Sequence, residues 1–193
     1  RVWHGGEPVL DLEGTPFNGP VLGSCAGAAV AAVAAAAGVP FPVVRRVASR
    51  FETLPHRMHE VGRRNGVAYI NDSKATNLSA LAAAVQSCGM GVHLIAGGLP
   101  KETDFTFIKE VLAKRVRRIY LIGQASRAMY RAWNEDCSCV ECGTLDEAFG
   151  AAKEAAVSGE TILLSPGCAS FDQFGSFEER GTRFETLFRE GLL

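Results

Sequence analysis

The stretch YINDSKATN, residues 69–77, places a single lysine in a loop of small and polar residues. Lys74 lies between Ser73 and Thr76, whose hydroxyl groups can donate to the same oxygen atoms that a lysine binds. An ammonium group with neighbouring hydroxyls suits a carboxylate or a phosphate. The loop therefore predicts an anion site, and a surface lysine paired with Asp72 is the simpler alternative.

Three further stretches could also bind an anion. In SPGCASFDQFGSF, residues 165–177, small residues allow backbone N–H groups to approach a ligand next to a helix start, although a tight turn would need the same residues. Lys101 in GGLPK could face a phosphate or lie in an ordinary Gly-Pro turn. His56 and Arg57 in LPHR could bind a polyphosphate, with Arg57 as the forked donor, or belong to a solvated linker.

Other chemistry is not favoured by the sequence. Cys137, Cys139 and Cys142 lack a fourth ligand at zinc-binding spacing, and alternation along one short strand explains them better, so we predict no metal site. Neither G-x-x-x-x-G-K-[ST] nor G-x-G-x-x-G occurs in the 193 residues, which argues against P-loop nucleotide hydrolysis and NAD binding within them.

From Met58 onward, strand-like and helix-like segments alternate. Asn65-Gly66 between two strand-like runs predicts a β-hairpin. The later strands are apolar throughout, which is typical of a mostly parallel sheet covered by helices on both faces. We therefore predict a doubly wound, Rossmann-like α/β domain. Five loops should meet at the carboxyl ends of its strands: NDSKATN, AGGLPKETD, GQAS, ECGT and SPGCASFDQF.

Residues 1–53 do not follow this alternation. RVWHGGEPVLDLEG predicts a pair of strands, and residues 26–38 and VVRRVASRF predict two helices. We therefore expect two regions, 1–53 and 54–193. The first residue is Arg1 rather than methionine, which suggests a fragment of a longer polypeptide.

Composition narrows the class of protein. Hydrophobic residues make up 47% of the chain and the net charge is -1, so neither nucleic acid nor an anionic membrane is an expected partner. No segment reaches the length of a membrane span. Six cysteines in a chain of this length do not form a disulfide framework, and we expect a cytoplasmic protein.

Taken together, INDSKATN, GG…K…DF and LLSPGCASFDQFGSFEERGTRF resemble the C-terminal part of the D-glutamate-adding Mur ligases, the UDP-N-acetylmuramoyl-L-alanine:D-glutamate ligases. The order and spacing of these motifs match, LPHR agrees, and the resemblance runs from about residue 20 onward. It implies that residues 54–193 are the amino-acid-binding domain and residues 1–53 a remnant of the central ATPase domain. It also implies an ATP-dependent reaction in which D-glutamate attacks an acyl phosphate of UDP-N-acetylmuramoyl-L-alanine.

The resemblance implies a D-glutamate pocket at four positions. Lys74 and Thr76 match contacts to the side-chain carboxylate of D-glutamate, and Ser170 and Phe177 match the opposite wall. A lysine that binds the side-chain carboxylate of D-glutamate would make the ligase specific for an acidic amino acid.

The resemblance also implies nucleotide contacts at His56, Arg57 and Asp72. Lys101 matches a lysine near the reacting phosphate, where it would have a catalytic role. ATP and magnesium are the implied cofactors, and we expect the magnesium ligands outside this chain. For that reason the chain alone should not catalyse ligation.

One segment departs from the family pattern. The family carries Gly-x-His-Asn-x-x-Asn at the start of its Ala-rich helix, whereas this chain has GSCAGAA, with Cys25, Ala26 and Ala29 in those places. This departure leaves open a different class of function, a stand-alone α/β module that binds an acidic metabolite or a nucleotide. A P-loop motif upstream of Arg1 would favour the ligase.

Overall fold

A computed structural model describes residues 2–4, 7–11, 13, 22–50 and 54–191. The chain divides into two compact units, residues 1–53 and residues 54–193. Within the described part of the chain, every helix is too short or too polar to cross a membrane.

The smaller unit consists of a hairpin and two helices. Its elements are β1 (Val2–His4), β2 (Glu7–Leu10), α1 (Leu22–Ala36) and α2 (Phe41–Ala48). The antiparallel pairing of β1 with β2 confirms the predicted strand pair. The helices pack through small apolar side chains, including Ala34 and Val44. Gly38 follows α1 with a φ of 66°, a conformation that suits glycine and stops the helix where the sequence predicts.

The larger unit is built on a six-stranded sheet. Its strands are β3 (His59–Arg64), β4 (Val67–Asn71), β5 (Val92–Gly97), β6 (Val116–Ile122), β7 (Cys139–Gly143) and β8 (Thr161–Leu164). Their order in the sheet is β3-β4-β8-β5-β6-β7. Only β3 runs antiparallel to its neighbour, and the other pairs are parallel. The sheet confirms the predicted α/β fold.

Helices cover both faces of this sheet. They are α3 (Leu78–Ser87), α4 (Lys109–Arg115), α5 (Ser126–Trp133), α6 (Leu145–Ala155) and α7 (Phe177–Glu190). One apolar cluster packs α3, α4 and α5 on one face, with Trp133 fully buried. The other packs α6 and α7, with Phe149 and Phe184, on the opposite face. Since both faces are covered, all six residues of β5 are buried, as its unbroken apolar sequence predicts.

The hairpin turn between β3 and β4 has the predicted conformation. Asn65 and Gly66 have φ angles of 51° and 78°. Two consecutive positive φ angles characterise a type I′ turn, which matches the twist of the strands that it joins. The register of β4 is thereby set by two residues of local sequence.

Three local features define the ends of these elements more closely. The segment DFTFIKEVLAKR begins as a 3₁₀ turn, Thr106–Ile108, because Asp104 accepts hydrogen bonds from the backbone and hydroxyl of Thr106. Cys137 lies in the turn that follows α5, where its N–H donates to the carbonyl of Trp133, so β7 starts at Cys139 and does not include it. At the start of α7 the side chain of Ser176 accepts the N–H of Glu179, and the Glu179 carboxylate accepts the N–H of Gly175.

Candidate functional site

Three loops form the candidate site at the carboxyl edge of the sheet. They are the β4 loop (residues 72–77), the β5 loop (98–105) and the β8 loop (165–176). Leu99 and Ala169 exchange two backbone hydrogen bonds and join the β5 and β8 loops. The N–H of Gly167 donates to the carbonyl of Ala75 at 2.9 Å and joins the β8 and β4 loops. The three loops are therefore held as one surface.

The other two predicted loops are occupied by side chains of the β8 loop. The carboxylate of Asp172 accepts the N–H of Gln124 at 2.9 Å in the loop after β6. The amide of Gln173 donates to the carbonyl of Gly143 at 2.7 Å in the loop after β7. Because protein groups already bind these two loops, we confine the candidate site to the β4, β5 and β8 loops.

Ser73 fixes the β4 loop to the start of α7. Its hydroxyl donates to the carbonyl of Phe177 at 2.8 Å, and its N–H donates to the side-chain oxygen of Asn71 at 3.1 Å. Asn71 in turn donates to the carbonyl of Gly181 and to Glu185, both on α7. The residue before Lys74 is thus held by a helix that starts 104 residues later in the chain.

Lys74 and Phe177, two residues of the expected pocket, are in contact. The ammonium nitrogen of Lys74 lies 3.8 Å from the centre of the Phe177 ring. A cation over an aromatic face is favourable, but it does not neutralise the charge. The ion pairs among the described residues do not include Lys74, so the alternative of a lysine paired with Asp72 is not observed. The charge of Lys74 remains available to an anion.

Lys101 approaches the same pocket from the β5 loop. Its ammonium group donates to the hydroxyl of Thr76 at 3.3 Å. The next residue, Glu102, accepts the N–H of Leu78 at 3.1 Å, in the first turn of α3. Glu102 therefore holds the β5 loop against α3 and keeps Lys101 beside Thr76. Lys101 is therefore next to Thr76, a residue expected to bind a carboxylate. The resemblance instead associates Lys101 with the reacting phosphate.

Asp72 lies beneath the surface of the site, with 7% of its area exposed. Its carboxylate accepts the hydroxyl of Ser165 at 2.8 Å and the N–H of Met58 at 3.2 Å. Burial raises the pKa of Asp72 to about 6, although these two hydrogen bonds and the nearby Arg57 oppose the rise. The carboxylate joins the β8 loop to the segment before β3.

His56 and Arg57 point in different directions. His56 is buried and has a φ of 61°, and its Nδ1 lies 2.8 Å from the side-chain nitrogen of Asn71. Position 181 of α7 is glycine because a Cβ there would overlap the imidazole of His56. Arg57, by contrast, is exposed and free to reach a ligand at the edge of the site.

Ser170 is buried in the β8 loop. Its carbonyl accepts the N–H groups of Gln173 and Phe174 and closes a turn that leads into α7. Nearby, burial raises the pKa of the Cys168 thiol to about 12, so this cysteine is protonated at neutral pH and is a poor nucleophile. Ser170 therefore shapes the β8 loop through its backbone, and Cys168 supplies no reactive thiolate.

Arg180 lies within the motif LLSPGCASFDQFGSFEERGTRF, but the motif itself does not reveal a role for it in the site. Its guanidinium donates to the hydroxyl and the carbonyl of Ser73 and to the carbonyl of Cys168. One signal in the sequence could have found it: Arg180, Phe184 and Phe188 recur every fourth residue and form the buried stripe of α7. An arginine in an apolar stripe requires polar partners inside the protein.

The described residues offer no cluster of metal ligands, and the departure from the family pattern lies in α1. No group of three His, Cys, Asp or Glu side chains in the part of the chain that the structure describes could hold a metal ion. Cys25, Ala26 and Ala29 lie in α1, where Ala29 is exposed and the side chains of Cys25 and Ala26 are outside the described residues.

Comparison with protein families gives one match, which covers much of the larger unit. Residues 56–168 match the model of the family described as Mur ligase, glutamate ligase domain. The matched segment begins at His56 and includes the β4 loop, the β5 loop and the first part of the β8 loop.

Curated relatives are the UDP-N-acetylmuramoylalanine--D-glutamate ligases. The ligase of Acidobacterium capsulatum is 38% identical over 181 residues, which are 94% of this chain and 39% of that ligase. The ligase of Chlorobium limicola is 41% identical over 157 residues, 81% of this chain and 34% of that protein. The chain thus spans about two fifths of the length of the curated relatives that it matches.

Solved structures agree on the fold. A pseudomurein peptide ligase type C from Methanothermus fervidus has a TM-score of 0.55 at 18% identity, over 84% of this chain and 34% of that one. Folylpolyglutamate synthase from Thermotoga maritima has a TM-score of 0.55 at 19% identity, over 90% of this chain and 40% of that one. At such low identity these likenesses concern the architecture alone.

Proposed function

Since the chain belongs to the Mur ligase family and carries its glutamate ligase domain, we propose that residues 54–193 form the D-glutamate-binding part of a peptidoglycan-precursor ligase. The complete enzyme would join D-glutamate to UDP-N-acetylmuramoyl-L-alanine in the cytoplasm and use ATP to activate the acceptor carboxylate as an acyl phosphate. The names of the relatives support the substrate. Residues 1–53 would be the end of the central ATPase domain.

The contact between Lys101 and Thr76 is the observation that carries this proposal. It brings a cation from the β5 loop to a hydroxyl in the β4 loop, and the same β4 loop carries Lys74, whose ammonium lies over the Phe177 ring. Two ammonium groups and a hydroxyl can bind the two oxygens of one carboxylate. We assign this place to the side-chain carboxylate of D-glutamate, with Phe177 and Ser170 as the adjoining wall.

Lys101 therefore has a different primary role in this proposal from the one that the resemblance implies. The hydrogen bond to Thr76 and the attachment of Glu102 to α3 favour carboxylate binding. With the side-chain carboxylate held by lysines, the amino group of D-glutamate is left free to attack the acyl phosphate. Orienting the amine in this way lowers the entropic part of the barrier.

Nucleotide contacts would come from the edge of the site near residues 56–58. Arg57 is exposed and could neutralise charge on a phosphate. The buried His56 would fix the backbone conformation next to Arg57. Asp72 would fix the same segment by accepting the N–H of Met58. We expect the magnesium ligands outside this chain, so no step of the reaction is assigned to the metal here.

Titration of the ¹⁵N-labelled chain with D-glutamate, followed by NMR, tests the pocket. We expect saturable shifts of backbone amides in the β4, β5 and β8 loops. D-Glutamine is the matched control ligand because it lacks only the side-chain charge, and it should give no saturable shift. Equal responses to the two ligands, or none to D-glutamate, would refute the assigned pocket.

A chimera tests the activity of the complete enzyme. This chain would replace the matching segment of the Acidobacterium capsulatum ligase, and D-glutamate-dependent phosphate release from ATP would be measured. We expect activity from the chimera and none from the isolated chain. A folded but inactive chimera that still binds D-glutamate would instead favour a stand-alone binding module.

A further inference from the structure

Arg180 is a buried cation without an acidic partner. Only 1% of its surface is exposed, and burial lowers its pKa to about 10, so it remains charged at neutral pH. The ion pairs among the described residues do not include it. Burying a charge in this way is costly, and a well-packed apolar side chain often stabilises a core equally well. Stability alone is therefore a weak reason for an arginine at this position.

All hydrogen bonds from Arg180 go to the loops of the candidate site. Its Nε donates to the Ser73 hydroxyl at 3.0 Å, and its Nη2 donates to the carbonyls of Ser73 and Cys168 at 2.9 and 3.2 Å. Its Nη1 is buried without a partner. A Cβ at Gly98 would lie 3.2 Å from this Nη1, so the same guanidinium also borders the β5 loop. One planar group thus binds the β4 and β8 loops and borders the β5 loop.

These contacts lie next to the proposed ligand-binding residues. Ser73 immediately precedes Lys74, and Cys168 is two residues before Ser170. The guanidinium binds backbone carbonyls in two loops, so it fixes the path of the main chain as well as a side chain. A lysine could not reproduce this, because its ammonium is a point charge without a rigid fork of donors.

We propose that Arg180 is the positioning residue of this pocket: it holds the β4 and β8 loops at the separation that lets Lys74 and Ser170 face one carboxylate ligand. The proposal rests on the proposed function for the identity of the ligand, D-glutamate. Arg180 itself touches no ligand. Its effect on binding passes through Ser73 and Cys168.

The test compares variants of the 193-residue chain by NMR titration with D-glutamate, at a temperature at which each variant is fully folded. Arg180→Met keeps much of the side-chain volume and removes the donors. We expect the Kd for D-glutamate to rise by about tenfold or more, as expected for the loss of hydrogen bonds to a charged group. Arg180→Lys retains the charge and should also bind poorly. Arg183→Met is the matched control, since Arg183 lies on the same helix but pairs with Asp146; its Kd should not change.

Two results would overturn the proposal. If Arg180→Met has a lower melting temperature but an unchanged Kd, the arginine is only structural. If Arg180→Lys restores full affinity, charge rather than the forked geometry matters. Should Arg180→Met fail to fold, Ser73→Ala takes its place, because it removes the hydroxyl partner of Arg180 and should raise the Kd in the same direction.

Failure of the proposed function can be recognised separately. In that case the unmodified chain shows no response to D-glutamate. The ligand-free spectra of the variants still test the positioning role, because the amides of Lys74 and Ser170 should shift in Arg180→Met and not in Arg183→Met. Unchanged amides at both positions would refute it.

Discussion

The two edges of the larger sheet differ in whether their charged side chains are paired with partners. At the amino edge, His93 on β5 is bonded on both sides, by the hydroxyl of Tyr120 at 3.0 Å and by the carboxylate of Glu160 at 2.9 Å. Glu160 also accepts the N–H of Val157 and lies 3.3 Å from Arg117. At the carboxyl edge, Lys74 and Arg180 have no carboxylate partner among the described residues.

This difference separates a stabilising network from a binding site. Polar groups that are fully bonded to one another contribute to stability and leave nothing for a ligand. Cations that are held in place but not neutralised attract an anion from solution. The comparison predicts that substitutions in the amino-edge network change stability without changing binding, and that replacing the cations of the carboxyl edge changes binding more than stability.

The largest expected effect is on the amino edge. His93→Ala would leave the largely buried Glu160 without its main partner and should lower the free energy of unfolding by about 3 kcal/mol. Tyr120→Phe removes one hydroxyl and should cost about 1 kcal/mol. Urea denaturation measures both. The Kd for D-glutamate should be unchanged in each folded variant. A large rise in Kd would show that the amino edge also contributes to ligand binding.

The pH dependence of stability distinguishes the edges further. The pKa of Asp72 is raised from 3.8 to about 6 on folding, so its contribution to stability is full below pH 3.8 and is lost as the pH rises through about 6. Two pKa units correspond to about 3 kcal/mol. Asp72→Asn should therefore flatten the stability profile between pH 4 and pH 7, as measured by urea denaturation. A profile equally steep in the variant would contradict the assignment.

Glu160 should act in the opposite direction. Partial burial opposes ionisation, but its bonds to Val157 and His93 and the charge of Arg117 together lower its pKa below 4.5. Its stabilising contribution is thus present above about pH 4.5 and is lost as the pH falls through the lowered value. The two carboxylates titrate in different windows, so Glu160→Gln should change the profile only at the acid end.

A smaller effect is expected from removing one cation of the carboxyl edge. Lys101→Met should weaken D-glutamate binding by about 2 kcal/mol, a roughly thirtyfold rise in Kd, because a charged hydrogen bond to the carboxylate is lost. Calorimetry or NMR titration measures the change. Lys114→Met, on the exposed face of α4, is the matched control. Equal affinities in the two variants would show that Lys101 does not bind the ligand.

The smallest expected effect concerns the aromatic wall. Phe177→Leu removes the ring under the Lys74 ammonium and should raise the Kd by roughly fivefold, since a cation–π contact contributes about 1 kcal/mol. Phe107→Leu, at an exposed phenylalanine of the 3₁₀ turn, serves as the control. A change of the same size in the control would show that the effect is not local to the pocket.

The sequence predicts those features whose causes are local. The Asn65-Gly66 turn and the apolar strands depend on residues close together in the chain, and both are confirmed. The five loops could be assigned to one edge because parallel strands end there. Which loops remain open could not be predicted, since it depends on Asp172 reaching Gln124, 48 residues away.

The roles of individual site residues depend on contacts of still longer range. Arg180 meets Ser73 across 107 residues of sequence, and no motif encodes this pairing. The resemblance associates Lys101 with phosphate, whereas Glu102 binds the start of α3 and Lys101 donates to Thr76. These long-range contacts are the basis on which we propose a carboxylate-binding role for Lys101.

The attachment of Glu102 to α3 has a consequence for how ligand affinity depends on salt. A free helix start carries a partial positive charge that can bind an anion with little contribution from side chains. At α3 an internal carboxylate already occupies that position. In the proposed pocket, recognition of a ligand carboxylate would therefore rely on the partly solvated ammonium groups of Lys74 and Lys101. Such charges are screened by salt over about 8 Å at physiological ionic strength, so D-glutamate affinity should fall steadily as potassium chloride is added.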